Sequence, residues 1–212
     1  MPLPETDLNF SSKKKKVTFS PVFLFFMGKI KYPKPVKLIA GFIFAQEKNF
    51  FQAKEELVKK FGEIDFESPL FSFNYTDYYR KEMGNKLWRK FVSFKRLFDP
   101  EKIVSVKLFT NEIEQKFSSG KKRKVNIDPG YLTLSKLVLT TTKNFAHRIY
   151  LGKGIYAEVT LRYVKGKGFQ PWEWTYPDYR SEDYLEVFNS LREKYKKQLE
   201  KEEKGEDGKE GV

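Results

Sequence analysis

No cysteine occurs in the 212 residues, and histidine occurs once, at position 147. The first absence removes disulfides, thiol nucleophiles and every zinc site built on sulfur. The second removes any metal centre or relay that needs two imidazoles. Neither G-x-x-x-x-G-K-[ST] nor G-x-G-x-x-G is present, so a P-loop GTPase or a dinucleotide-dependent oxidoreductase has no support. A chain without cysteine fits a reducing compartment, and the expected location is cytoplasmic.

What is abundant is aromatic and basic. Phe and Tyr number 21 and 12, and 40% of residues are hydrophobic, which is ample for a core. Lys and Arg outnumber Asp and Glu by 41 to 28, a net charge of +13. Such a field attracts anions: nucleic acid, nucleotides or an acidic surface. A merely lysine-rich, soluble surface would produce the same excess.

Residues 1–27 read as a basic and apolar leader. "KKKK" is followed by "VTFSPVFLFFMG", which resembles the start of a signal peptide. Pro21 interrupts the run, however, and no small-residue cleavage site follows. The run also falls short of the ~20 apolar residues of a membrane span. The leader is expected to be disordered or a non-native start. Residues 201–212 are expected to be a charged, disordered tail, leaving one domain over 28–200.

Inside that domain, "VKLIAGFIFA" is an apolar run of strand length. Phe50, Ala53, Leu57 and Phe61 then share a helical face that stops at Gly62. Strand pattern follows through Ile64 and Phe66, breaks at Pro69, and resumes at Phe71. "TDYYRKEMG" is a short helical segment. "KLWRKFVSFKRLF" fits strand or helix. Asp99-Pro100 opens a helix with Val106, Phe109, Ile113 and Phe117 on one side, and "RKVNID" is a strand. With the ambiguous segment as strand, the order is β-α-β-β-α-β. The expected fold is α+β, with a ferredoxin-like (split βαβ) core extended by an antiparallel β-meander and a C-terminal helix. "LSKLVLTTTKN" is expected to be a helix. The meander is "HRIYL", "IYAEVTLRYV" and "GFQPWEWTY", and the last helix starts near Ser181.

Candidate site residues cluster late in the chain. Asp128-Pro129-Gly130 has turn chemistry at every position and is expected to end the strand. Asn126 shares a strand face with Asp128 that turn chemistry does not explain. A three-residue "GKG" loop would pair Leu151 with Ile155, Ile149 with Ala157, and Arg148 with Glu158. Arg148 steadied by Glu158 suits phosphate binding, although an ordinary cross-strand ion pair reads the same. Lys143 adds a cation, and His147 either shuttles a proton or is a hydrogen-bonded structural residue. The candidates are therefore Asp128 and His147 as catalytic groups, and Asn126, Lys143, Arg148, Glu158 and Tyr131 as ligand-binding groups. Asp128 is the candidate Mg²⁺ ligand. "KKRK" (121–124) and the row Gln170, Trp172, Trp174, Tyr176 offer an RNA-binding alternative, with core packing as the plainer fate of those rings.

"YYRKEMG", "VNIDPGY", "TTTKNFAHRIYLGKGIYAEVTL" and "YPDYRS" resemble an uncharacterised prokaryotic family of small cytosolic proteins classed as a domain of unknown function. The likeness runs from about Met27 to the last helix and implies no activity. The residues themselves point to binding or turnover of a phosphate-bearing ligand such as a nucleotide, near Asp128, Lys143, His147 and Arg148. A non-enzymatic RNA-binding module and a protein-interaction domain without a small ligand stay open.

Overall fold

One interior strand of the sheet is buried on both faces because helices cover it from either side. That strand, β1 (Lys37–Phe44), is the continuous apolar run, and all eight of its residues are buried. A computed structural model describes residues 28–207 apart from Lys121. The expected leader (1–27) and the last five residues of the expected tail lie outside the described residues. The chain divides into two units, Met1–Pro33 and Lys34–Val212. Residues 28–33 of the first are exposed and without regular structure.

The second unit is a mixed α+β structure with a large antiparallel sheet and four helices. After β1 come α1 (Glu47–Phe61), β2 (Ile64–Glu67), β3 (Phe71–Ser72), α2 (Arg80–Met83) and β4 (Trp88–Phe94). Next are α3 (Ile103–Lys116), β5 (Val125–Leu132), β6 (Lys136–Thr141), β7 (Ile149–Gly152), β8 (Ile155–Val164), β9 (Gly168–Pro171) and α4 (Glu182–Asp207). Strands run in the order β2-β4-β1-β5-β6-β8-β7, with β3 on β4 and β9 on β8. Every pairing is antiparallel.

Strand alternation sorts the core into two layers. Leu38, Ala40, Phe42 and Phe44 join Val92, Phe94, Val125 and Ile127 beneath α1 and α3. Phe50, Ala53, Leu57 and Phe61 supply the α1 stripe, as their spacing predicts. Gly62, at φ 91°, ends that helix with its N–H on the Val58 carbonyl. On the opposite face, Ile39, Phe91, Leu161 and Phe169 are covered by Tyr184, Phe188, Leu191 and Tyr195 of α4. The ambiguous segment is a strand, and its alternation splits Val92 and Phe94 from Phe91.

Three sequence expectations give way. Asp128-Pro129-Gly130 is not a turn; it lies inside β5. Backbone alternation points Ile127 and Pro129 away from β1, toward a side where β6 has diverged. Pro129 therefore has no ladder bond to lose there, and its carbonyl accepts from Thr140 Oγ1 at 2.8 Å. Gly130 is needed where β6 returns, since a Cβ there would lie 2.2 Å from the Val138 carbonyl oxygen.

"LSKLVLTTTKN" holds strand β6 rather than a helix. Leu134, Leu137 and Val138 have helical spacing, but the run of threonines and Val138 are stiff β-branched residues that suit a strand. Finally, "GFQPWEWTY" keeps strand form only to Pro171. Trp174 Nε1 and Thr175 Oγ1 then cap the Val159 and Thr160 carbonyls, in the stretch of β8 between its pairings with β7 and β9.

The β7–β8 hairpin also differs in register. Ile149 pairs with Ala157 as expected, but Gly152, not Leu151, opposes Ile155. The loop is two residues, Lys153 and Gly154, at φ 52° and 76°. Both are positive, as a type I′ turn requires. Leu151 falls in the irregularity between Tyr150 and Gly152, and both it and Ile149 are exposed while Ile155 is buried.

Candidate functional site

The divergence of β5 from β6 opens the site. The two strands pair only from Gly130–Leu132 to Leu137–Leu139, so the first half of β5 has a bare outer edge. Polar side chains of α3 occupy that edge in place of a strand. Ile127 N–H donates to Glu114 Oε1 at 2.7 Å, and Lys107 Nζ donates to the Ile127 carbonyl at 3.0 Å. Beside this edge is a cavity of 540 Å³, within the usual range for a small-molecule site. Asn126 and Asp128 of β5 face Leu139, Thr140 and Thr141 of β6 across it, and Tyr78, Tyr79, Tyr176 and Asp178 contribute from loops and turns.

Charges converge on its floor. Arg89 reaches in from β4 and is 1% exposed. Its Nη1 donates to Asp128 Oδ2 at 2.9 Å, and Nη2 donates to the Tyr179 hydroxyl. Asn126 Nδ2 donates to the other Asp128 oxygen at 3.0 Å, while Asn126 Oδ1 accepts from Arg123 Nη1 at 2.8 Å. Arg123 also forks onto Glu82 of α2 at 2.7 and 3.1 Å. One bonded chain thus runs from Glu82 through Arg123, Asn126, Asp128 and Arg89 to Tyr179.

The electrostatics separate the carboxyls. Burial pushes Asp128 up, but Arg89, Lys107 and the Asn126 bond outweigh it and hold the group below its ordinary range. Burial, reinforced by Asp128, raises Asp178 despite Arg89. Burial likewise raises Glu114 against the pull of Lys107, the Ile127 N–H and Arg123. The shifts thus run in opposite directions, down for Asp128 and up for Asp178 and Glu114. Carboxyls pushed apart in this way can divide the roles of base and acid.

Five of the seven candidates line the cavity: Asn126, Asp128, Lys143, Arg148 and Glu158. Two do not. Tyr131 points to the other face of β5 and packs on the core under α1 and α3. His147 lies behind Glu158, with Nε2 at 3.1 Å from Glu158 Oε2, and its ring stacks on Trp174. Both Asp128 oxygens are engaged by Arg89 and Asn126, which leaves it a poor metal ligand. Among the described residues no three His, Asp or Glu side chains converge as a metal site.

Some of the features behind the RNA reading are used internally, although Trp174, Tyr176, Lys122 and Lys124 stay exposed. Arg123 of "KKRK" turns in to Glu82 and Glu114. Trp172 and Trp174 stack on each other at 5.0 Å, with Arg162 over Trp172.

Sequence reasoning passed over Arg89, Lys107, Glu114 and Asp178. Two signals were available. Lys107, Asn111 and Glu114 recur at i, i+4 and i+7, a polar stripe beside the apolar one. Arg89 alternates with Phe91 and Ser93, on a face that a central strand must bury.

A family model described as Domain of unknown function (DUF4416) matches residues 34–195. The chain belongs to this family. The match spans every strand and all of the cavity lining, so the site is part of the DUF4416 domain. Searches of curated proteins and of solved structures return no match. No helix among the described residues is long and apolar enough to cross a membrane.

Proposed function

We propose that this DUF4416 domain binds a small phosphate-bearing ligand, nucleotide-like in shape, in the cavity between β5 and β6. The observation that carries the reading is the charge of the lining. Five cations, Arg89, Lys107, Arg123, Lys143 and Arg148, stand against four carboxyls, Glu114, Asp128, Glu158 and Asp178, so the lining carries one positive charge in excess. An anion restores the balance.

A gradient of exposure orients the ligand. Exposed Lys143, Tyr78 and Tyr176 mark the solvent side. Buried Arg89, Asn126, Thr140 and Asp178 mark the floor. Lys143 makes no salt bridge among the described residues, and its Nζ sits 4.1 Å from the Tyr78 ring centroid. The phosphate belongs beside Lys143 and Arg148. A planar, hydrogen-bonding group belongs deeper, among Tyr79, Asn126 and Asp178. The strand order β2-β4-β1-β5, with α1 and α3 in the crossovers, also supports a split βαβ core as the scaffold.

A thermal-shift screen of nucleotides and phosphorylated metabolites, with and without Mg²⁺, tests the proposal on wild type, Lys143→Ala and Arg148→Ala. At a hundredfold excess over Kd, a ligand of the folded state adds about 2.7 kcal/mol. The expected result is a shift in wild type that shrinks in both variants. No shift with any phosphate-bearing compound, or one that both variants keep, would overturn it.

A further inference from the structure

Arg148 differs from the other cavity cations in sharing its counter-ion with an imidazole. Glu158 Oε2 accepts from Arg148 Nε at 2.7 Å and lies 3.1 Å from His147 Nε2. The Glu158 side chain is 3% exposed, so this one oxygen is held away from water. Its other oxygen is 3.4 Å from Thr160 Oγ1. The His147 ring lies on Trp174 with centroids 5.5 Å apart and planes 13° off parallel, which fixes Nε2 on Glu158.

Few other charges meet this trio. In the preceding loop, the Lys143 carbonyl accepts from Arg148 Nη1 at 3.0 Å, and Lys143 carries its ammonium toward Tyr78. From the 172–176 segment, the Tyr176 hydroxyl takes Arg148 Nη2 at 3.1 Å, and Trp174 offers only its ring. Phe145 adds a second ring against His147.

We infer that His147 is a positioning residue for anion binding: once protonated, it shares Glu158 with Arg148 and leaves the Arg148 guanidinium only partly compensated beside the cavity. This rests on the phosphate reading above. With a neutral imidazole, Arg148 and Glu158 cancel, and Nε2–H merely donates a hydrogen bond. With an imidazolium, two cations share one buried carboxylate, and the trio carries a net positive charge. That excess is low in solvent screening and lies beside the proposed phosphate position. An anion entering the cavity completes the neutralisation. Coupling of this kind is reciprocal, so the anion must also strengthen proton binding at His147.

The experiment uses inorganic sulfate, which stays a dianion across the histidine range, at constant ionic strength. In wild type, sulfate affinity is expected to tighten about fivefold or more between about pH 8 and pH 5.5, the low end of typical coupling. Because the chain has one histidine, its ring Cε1–H resonance reports the same event without any variant: saturating sulfate should move its titration midpoint upward. His147→Gln keeps a donor for Glu158 but cannot titrate, and should hold the weaker, high-pH affinity at every pH. Glu158→Gln releases Arg148 permanently and should bind at the tighter level throughout.

Sulfate that binds, and loses affinity in Lys143→Ala, but shows no pH dependence and leaves the His147 midpoint in place would overturn the inference alone. A His147→Gln protein with the wild-type pH profile would do the same. No sulfate binding at either pH would overturn both this inference and the phosphate reading.

Discussion

Arg89 of β4 and Asp128 of β5 bond directly across the strand that separates them, Nη1 to Oδ2 at 2.9 Å. Two strand spacings, about 9.5 Å, lie between their backbones. The intervening residue is Gly41, which pairs with Asp128 on one side and Phe91 on the other. Its missing side chain is what leaves room for the guanidinium over β1. The same bridge ties the polar floor of the cavity to the apolar layer beneath α4, because Arg89 also holds Tyr179.

Gly41→Ala is the direct test of that arrangement. A Cβ at position 41 would stand 2.8 Å from Arg89 Nη2 and 3.0 Å from Phe91 Cε1. The far end of an exposed arginine would move aside, but this one is 1% exposed and bonded at both amino groups. The expected loss is about 1–3 kcal/mol, typical of an overpacked core, read from the urea midpoint. An unchanged midpoint would mean that Arg89 is free to shift.

How much of this was readable beforehand follows from the range of each interaction. β1, α1, α3 and α4 announce themselves because their burial is periodic along the chain, and a local pattern suffices. The alternation of Asn126 and Asp128 against Val125 and Ile127 was legible for the same reason. Pro129 and Gly130 misled because their turn chemistry is local while their actual roles are not: one needs an open sheet edge, the other a crossing strand. β6 misled through Leu134, Leu137 and Val138, whose spacing suits a helix until pairing with β5 and β8 decides. The burial of Arg89 was legible from its alternation with Phe91 and Ser93, but its partners lie 39 and 90 residues away and no local pattern names them.

The β7–β8 turn offers a stabilising change. Lys153 is the non-glycine residue with positive φ, at 52°, among the described residues, and it is exposed. An L-residue other than glycine, asparagine or aspartate loses about 1–2 kcal/mol in that region. Lys153→Asn creates Asn-Gly, the preferred type I′ pair. A gain of about 0.5–1 kcal/mol in chemical denaturation is expected from that relief. Lys153→Ala, which keeps the strain, should show no such gain. Equal behaviour of the two would show that the turn is not of this type in solution.

Asp128 and Asp178 face the same cavity, yet neutralising them should act in opposite directions. Asp128 is held below its ordinary range, against burial, by Arg89 and Lys107. Its folded-state pKa is thus lower than the unfolded value of about 3.9, so it contributes stability at neutral pH that is lost as pH falls through the lower, folded value. Asp128→Asn leaves Arg89 buried without its counter-ion and should cost about 3–5 kcal/mol at pH 7. That deficit should begin to narrow only below about pH 3.9, where the unfolded chain takes up a proton that folded Asp128 still excludes. Asp178 is raised by burial, reinforced by Asp128. Between the unfolded and the higher folded value the folded state keeps a proton that the unfolded chain has released, so stability falls as pH rises through that window. Asp178→Asn removes the penalty and should be more stable than wild type at pH 7, with the advantage vanishing as pH drops to about 3.9. Urea denaturation of the three proteins from pH 3 to pH 8 reads both curves at once. Two variants that lose stability in parallel at every pH would refute the opposed carboxyls, and with them the division of acid and base in this cavity.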